Sequence, residues 1–253
     1  MRRALAGMGS LVLLLAGCGG SGSERSEITV LAAASLTGAF TRIGGGFERA
    51  HPDVTVRFSF GPSDGLATQI LEGAPADVFA PASPKYMDQV RSDGPGVTEQ
   101  VDFARNTLAV IVPSDNPAHI TSLGDLARPG AKLVLAAVGV PAGDYARGVL
   151  ENAGIQKEAL ANIVSNEEDV KGVVQKVLLG EADAGIVYRT DITPDISTSV
   201  RAISIPDGVN VIATYPIAVI DGSGHPPLAE AFVRFVTGPG QATLRMFGFL
   251  PPS

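Results

Sequence analysis

The sequence predicts an α/β chain folded as two lobes, each a mostly parallel sheet flanked by helices. Three observations predict it. From Glu27 on, short β-rich runs alternate with helical patterns, as strand-helix units do. Small or hydroxylic residues recur where a strand should give way to a helix. The alternation also restarts after Arg105, so the chain crosses there into a second lobe and returns before the last strand and helices. Composition agrees: 253 residues with 45% apolar and 18% charged side chains, 30 Gly and 18 Pro fit packed cores rather than a disordered or coiled-coil chain.

In order, Ile28 to Ala33 is a continuous apolar run of strand length, and Ser35 stands where a helix N-cap belongs, before Leu36, Phe40, Ile43 and Phe47 at helical spacing. Val54, Val56, Phe58 and Phe60 alternate as a strand, followed by Ser63 and the helical set Leu66, Ile70 and Leu71. Asp77 to Ala80 and a helix from about Pro84 complete the first set. Thr107 to Val112 opens the second, with a short helix near Leu123 to Ala127 and a strand at Lys132 to Ala136. Pro141-Ala142-Gly143 starts a helix that stops at Gly154, and Glu168-Asp169-Val170 starts another that ends at Gly180. Ala184 to Tyr188 and Tyr215 to Ile220 are strands, and helical patterns at Leu228 to Val236 and Gln241 to Phe247 close the chain. The run Gly44-Gly45-Gly46 has no P-loop Lys and lies inside a helical pattern, where it reads as close packing or a helix break.

The first 26 residues read as export and tethering sequence. Arg2 and Arg3 precede an apolar run from Leu11 to Leu15, and Leu15-Ala16-Gly17-Cys18 resembles the lipobox of bacterial lipoproteins, which implies lipidation of Cys18. The glycine-serine run after it fits a flexible tether. The expected division is therefore signal peptide 1–17, lipidated Cys and tether 18–26, first lobe 27–105 plus 214–253, and second lobe 106–213. Cys18 is the sole cysteine, so no disulfide supports the fold.

Charge limits the partners. With 19 Lys and Arg against 26 Asp and Glu, the net charge is -7, and removal of residues 1–17 takes two Arg and no acid, leaving -9. Such a chain is a poor match for a nucleic-acid backbone, which attracts positive charge. Net charge says little about a small buried anion, because local dipoles hold such an ion. Ser35, Ser63, Ala142 and Val170 each stand at an expected helix start, where unpaired N–H groups and the positive end of the helix dipole can hold an anion without a cation. A Ser there is most often an ordinary N-cap, so spacing alone names no ligand.

Five motifs, in order, resemble the periplasmic molybdate-binding proteins: Ala32-Ala33-Ala34-Ser35-Leu36-Thr37, Gly73-Ala74-Pro75-Ala76-Asp77-Val78-Phe79-Ala80, Val140-Pro141-Ala142-Gly143, Glu168-Asp169-Val170 and Gly185-Ile186-Val187-Tyr188. The resemblance runs from about residue 27 to the end. It implies a type II periplasmic-binding-protein fold with a tetrahedral oxyanion in the inter-lobe cleft, held by neutral donors. Ser35 and Ser63 would each offer a hydroxyl and a backbone N–H, Ala142 and Val170 backbone N–H groups, and Tyr188 its phenol. About seven hydrogen bonds to a charged ligand, at roughly 1.5–3 kcal/mol each, can offset the desolvation of a buried dianion. The resemblance further implies an exported monomer anchored through Cys18 to the outer face of the cell membrane. Its ligand would be molybdate and also tungstate, with no other cofactor or metal and no catalytic activity, and its partners a membrane permease and cytoplasmic ATPase.

Two alternatives stay open. Sulfate or another tetrahedral oxyanion could be the ligand, and Asp64, in Gly61-Pro62-Ser63-Asp64-Gly65, departs from the family's serine-rich segment; it is read as peripheral, pointing outward at the helix start. The same pentapeptide fits G-x-S-x-G between a strand and a helix, so a serine hydrolase would use Ser63 with His225 as base. Against it, no HGGG-type segment precedes the Ser, and His51 comes before it. Three scattered His form no metal-ligand spacing, and Tyr86, Tyr145 and Tyr215 fall in other motifs than Tyr188, so paired-tyrosinate iron binding is not indicated.

Overall fold

The computed structural model describes residues 25–253. The expected signal peptide and Cys18 lie outside the described residues. The first stretch runs β1 (Ser26–Ala33), α1 (Thr37–Ala50), β2 (Val54–Gly61), α2 (Ser63–Leu71), β3 (Val78–Ala80), α3 (Pro84–Asp93) and β4 (Val97–Asn106). The second runs β5 (Leu108–Pro113), β6 (Leu133–Ala136), α4 (Pro141–Asn152), α5 (Gln156–Leu160), β7 (Ile163–Glu167), α6 (Val170–Leu178), β8 (Ala184–Tyr188) and β9 (Val200–Ser204). Finally come β10 (Ala213–Ile220), α7 (Pro226–Thr237) and α8 (Gly240–Met246).

These strands form two sheets, ordered β2-β1-β3-β10-β4 and β7-β6-β8-β5-β9. Four strands of each sheet run the same way; the fifth, β10 in one and β5 in the other, is antiparallel to both neighbours. The reversed strands are the two that follow a passage between sheets. β4 ends at Asn106 and β5 starts at Leu108, whose partner is Tyr188, the last residue of β8; on the return, Ala213 pairs with Asn106. A chain that enters a sheet where its parallel strands finish must run backwards through it. Both crossings therefore join carboxyl ends, and the carboxyl ends of the two sheets face each other.

Packing follows the pleat, since alternate residues of a central strand serve opposite faces. In β1, Ile28, Val30 and Ala32 belong to the larger core with Phe40, Phe47 and Phe232 of α1 and α7, whereas Leu31 packs with Leu66, Ile70, Phe79 and Met87 beneath α2 and α3. Phe232 meets Phe40 and Phe47 edge-on. Gly44 lies inside an unbroken α1, where a Cβ would stand 2.5 Å from the Phe58 ring, so this glycine serves close packing.

The sequence reading places no element at β4, α5, β7 or β9, and the three strands it lacks are sheet edges. Ser35 also differs from expectation, because it caps no helix. Residues Ala34–Leu36 make a 3-10 turn and α1 begins at Thr37, while the Ser35 hydroxyl pairs with Tyr215, 180 residues away.

Candidate functional site

A small cavity lies where the carboxyl ends converge. Each sheet supplies three segments: residues 33–35 after β1, 61–63 at the end of β2 and Ala82 after β3; then 140–142 after β6, Asp169 and Val170 after β7, and Tyr188 at the end of β8. This is where open α/β sheets hold ligands, because loops and helix starts collect there. Ser35, Ser63, Ala142, Val170 and Tyr188 all line the cavity and are all buried. Among the described residues, no Lys or Arg lines it.

Local structure explains what each can offer. Ser63 is the first residue of α2 and Ala142 the second of α4; neither helix has a side-chain cap, so their first-turn N–H groups have no partner along the chain. Pro141 sits at the first position of α4, where its missing N–H matters least. Val170 opens α6, and Asp169 turns its carboxylate back to accept from Gly172 N at 3.0 Å. Asp169 is thus the carboxylate at the wall, engaged with the helix it caps.

The Ser63 hydroxyl is oriented by a group that can only donate. Ser63 Oγ accepts the backbone N–H of Ala82 at 3.0 Å, which leaves its own proton for the cavity. Tyr188 is 1% exposed, and its Oη is one of two buried side-chain polar atoms with no hydrogen-bond partner among the described residues. Burial, with smaller contributions from Tyr215, Tyr145 and Asp191, pushes its pKa well above the usual tyrosine value, so it remains a neutral donor. Behind it, Asp191 Oδ2 accepts from Tyr188 N at 3.2 Å and Oδ1 pairs with Lys171 at 3.1 Å. Burial raises the Asp191 pKa, and the Lys171 ammonium opposes that rise.

The profile of the bacterial extracellular solute-binding protein family matches residues 28–250. The chain belongs to that family. It is 40% identical to the molybdate-binding protein ModA of Mycobacterium tuberculosis (strain ATCC 25618 / H37Rv) over 227 residues, 89% of this chain and 85% of that one. The molybdate-binding protein ModA of Escherichia coli (strain K12) is 33% identical over 252 residues, 94% of each chain. Among solved structures, the Azotobacter vinelandii periplasmic molybdate-binding protein matches with a TM-score of 0.78 at 21% identity, over 89% of this chain and 100% of that one, a likeness of fold. The architecture is accordingly the two-lobed type II periplasmic-binding-protein fold.

In this solute-binding protein several residues beyond the sequence expectation shape the site. Ala82 orients Ser63, as above, and no local pattern could have found it. Arg147, the cation nearest in sequence to the start of α4, donates to Ala136 O at 2.8 Å, Gly143 O at 2.9 Å and Asn166 Oδ1 at 2.7 Å, tying α4 to the strand ends instead of entering the cavity. Gly143 is required by the same approach: a Cβ there would lie 2.2 Å from Ala137 O and 2.4 Å from Ala136 O. Both contacts are backbone, so Gly143→Ala must displace the start of α4. It is expected to destabilise the protein by about 1–3 kcal/mol, read as a lowered melting temperature in thermal denaturation.

Asp64 does not line the cavity, yet it does not point outward either: its Oδ1 is buried with no hydrogen-bond partner among the described residues. The outward orientation expected of a first-turn Asp is corrected on that oxygen. His225 stands exposed at the start of α7, its N–H donating to Ser223 Oγ, while the Ser63 hydroxyl is engaged by Ala82; the pair needed for a serine nucleophile is not assembled.

The lobes also touch at the rim. Tyr86 of α3 donates its hydroxyl to Gly139 O in the loop before α4, and Lys85 stands 3.6 Å from Asp144. Both contacts join opposite lobes across the cavity.

Proposed function

We propose that this cavity binds molybdate, and tungstate with it, as the capture step of ATP-driven import. The observation that carries the proposal is the convergence of neutral donors from both lobes on one small, cation-free cavity, with the Tyr188 hydroxyl buried and unpartnered. Ser35, Ser63, Ala142, Val170 and Tyr188 are the binding residues, with the division of labour set out from the sequence. Similarity to molybdate-binding relatives over most of the chain supports this ligand. A full dianion satisfies inward-facing donors, whereas a protonated oxyanion brings a hydrogen that needs an acceptor.

The protein works outside the cytoplasm, held through a lipid on Cys18, as a monomer that delivers its ligand to a membrane permease driven by a cytoplasmic ATPase. It catalyses no reaction. The lobes divide at 27–105 plus 214–253 and 106–213, and ligand favours closure because it contacts both. Calorimetric titration of the purified protein with molybdate, tungstate, sulfate and phosphate tests the reading. Molybdate and tungstate should bind at one site per chain and more tightly than sulfate or phosphate. Sulfate binding as tight as molybdate would reassign the ligand, and binding of none would end the oxyanion reading.

Closure can be tested separately. Tyr86→Phe removes the hydroxyl that reaches Gly139 across the rim, a hydrogen bond contributing about 1 kcal/mol. Molybdate affinity is expected to fall about fivefold, chiefly through faster dissociation in stopped-flow measurements.

A further inference from the structure

We infer that Tyr215, with Asn106 behind it, is a positioning residue that fixes Ser35 as a donor toward the cavity and so sets selectivity against oxyanions that carry a proton. The inference rests on the oxyanion reading above. It is carried by a chain of hydrogen bonds whose direction is fixed at one end. The backbone N–H of Thr107 can only donate, and it meets Asn106 Oδ1 at 3.0 Å. That contact fixes which way the Asn106 amide faces. Its Nδ2 must then point to Thr190 Oγ1 at 2.8 Å and, in a long contact of 3.5 Å, to Tyr215 Oη. An amide nitrogen also only donates, so Tyr215 Oη accepts on that side, and we assign its own proton to Ser35 Oγ, 3.1 Å away. A Ser35 oxygen that already accepts from Tyr215 directs its remaining proton to the cavity it lines.

The chain has little freedom to reverse. Asn106 is 1% and Tyr215 0% exposed. The Tyr215 ring packs edge-on against Phe103 and Phe249 and against Tyr188. Burial, the largest influence on this phenol, raises its pKa, so it stays protonated. The residues come from both crossings between the lobes: Asn106 ends β4 where the chain leaves the first sheet, and Tyr215 lies near the start of β10 where it returns. Thr190, two residues beyond Tyr188, ties the same chain to the second lobe.

Two substitutions alter the relay differently. Tyr215→Phe removes the donor to Ser35, whose freed lone pair can accept a ligand proton. Asn106→Asp replaces a donor by an acceptor of nearly the same shape, which draws the Tyr215 proton away from Ser35; Tyr215 then accepts from Ser35, and Ser35 turns a lone pair to the cavity. The test measures molybdate affinity by calorimetry, and phosphate affinity by competition against molybdate at about pH 8, for the unmodified protein and both variants. The ratio of molybdate to phosphate affinity should fall at least about tenfold in Tyr215→Phe, and in the same direction in Asn106→Asp. A merely structural role would weaken both ligands together, so an unchanged ratio in the variants overturns the inference. Failure of the unmodified protein to bind molybdate would instead overturn the oxyanion reading.

Discussion

Replacing Val170 by Pro lowers molybdate affinity about 10- to 100-fold while the protein still folds, because the substitution removes one backbone donor to a charged ligand, an interaction of roughly 1.5–3 kcal/mol. The position tolerates proline for identifiable reasons. Val170 is the first residue of α6, where proline's fixed φ suits the helix and no intrahelical hydrogen bond is lost. Asp169 before it is already extended, at φ -150° and ψ 177°, as a residue preceding proline must be. The Asp169 cap on Gly172 does not involve Val170 N and persists. Val170→Ala is the companion variant. It keeps the N–H but removes buried methyl groups, so it should lose about 1–2 kcal/mol of stability and change molybdate affinity less than about threefold. Calorimetry and thermal denaturation on the pair separate donor from packing. A proline variant that binds like the unmodified protein would remove Val170 from the site.

Tyr188→Phe is expected to weaken binding while leaving the fold intact. The free protein keeps its stability to within about 1 kcal/mol, because the hydroxyl makes no hydrogen bond to another described residue that the substitution would break. Molybdate affinity falls about 10- to 100-fold, because the same hydroxyl is the donor that the ligand would satisfy. Since the phenol stays neutral well above the usual tyrosine pKa, binding to the unmodified protein should be flat with pH through the mildly alkaline range. An unchanged melting temperature without ligand, combined with weaker binding, is a signature that simple damage to the fold cannot produce. If the variant loses stability and keeps its affinity, Tyr188 is a packing residue.

Much of the site is legible in the sequence because its binding positions lie at strand-to-helix junctions, and such junctions are written locally. Ser63, Ala142 and Val170 each fall within the first two residues of an α-helix, as the change from strand to helix periodicity indicates. The three missing strands show the limit of that method. β4, β7 and β9 are sheet edges, paired on one side only, and their sequences lack the continuous apolar run of a strand buried on both faces. Ser35 shows another limit. A hydroxyl at a helix start reads as a cap, but its partner here is a phenol on a strand almost two hundred residues later, and no window of sequence contains both.

The sequence by itself determined the two sets of strand-helix units, the small residues at their junctions and the absence of cationic residues among the candidate binding positions, because propensity, periodicity and side-chain chemistry act over a few residues. Only the tertiary structure decided that three strand ends from each sheet meet at one cavity, that Ala82 and Tyr215 hold the hydroxyls of two serines at its wall, and that Asp64 stays off that wall. Those outcomes depend on chain crossings and on hydrogen bonds between segments far apart in sequence, whose partners are chosen by packing and by the need to satisfy buried polar groups.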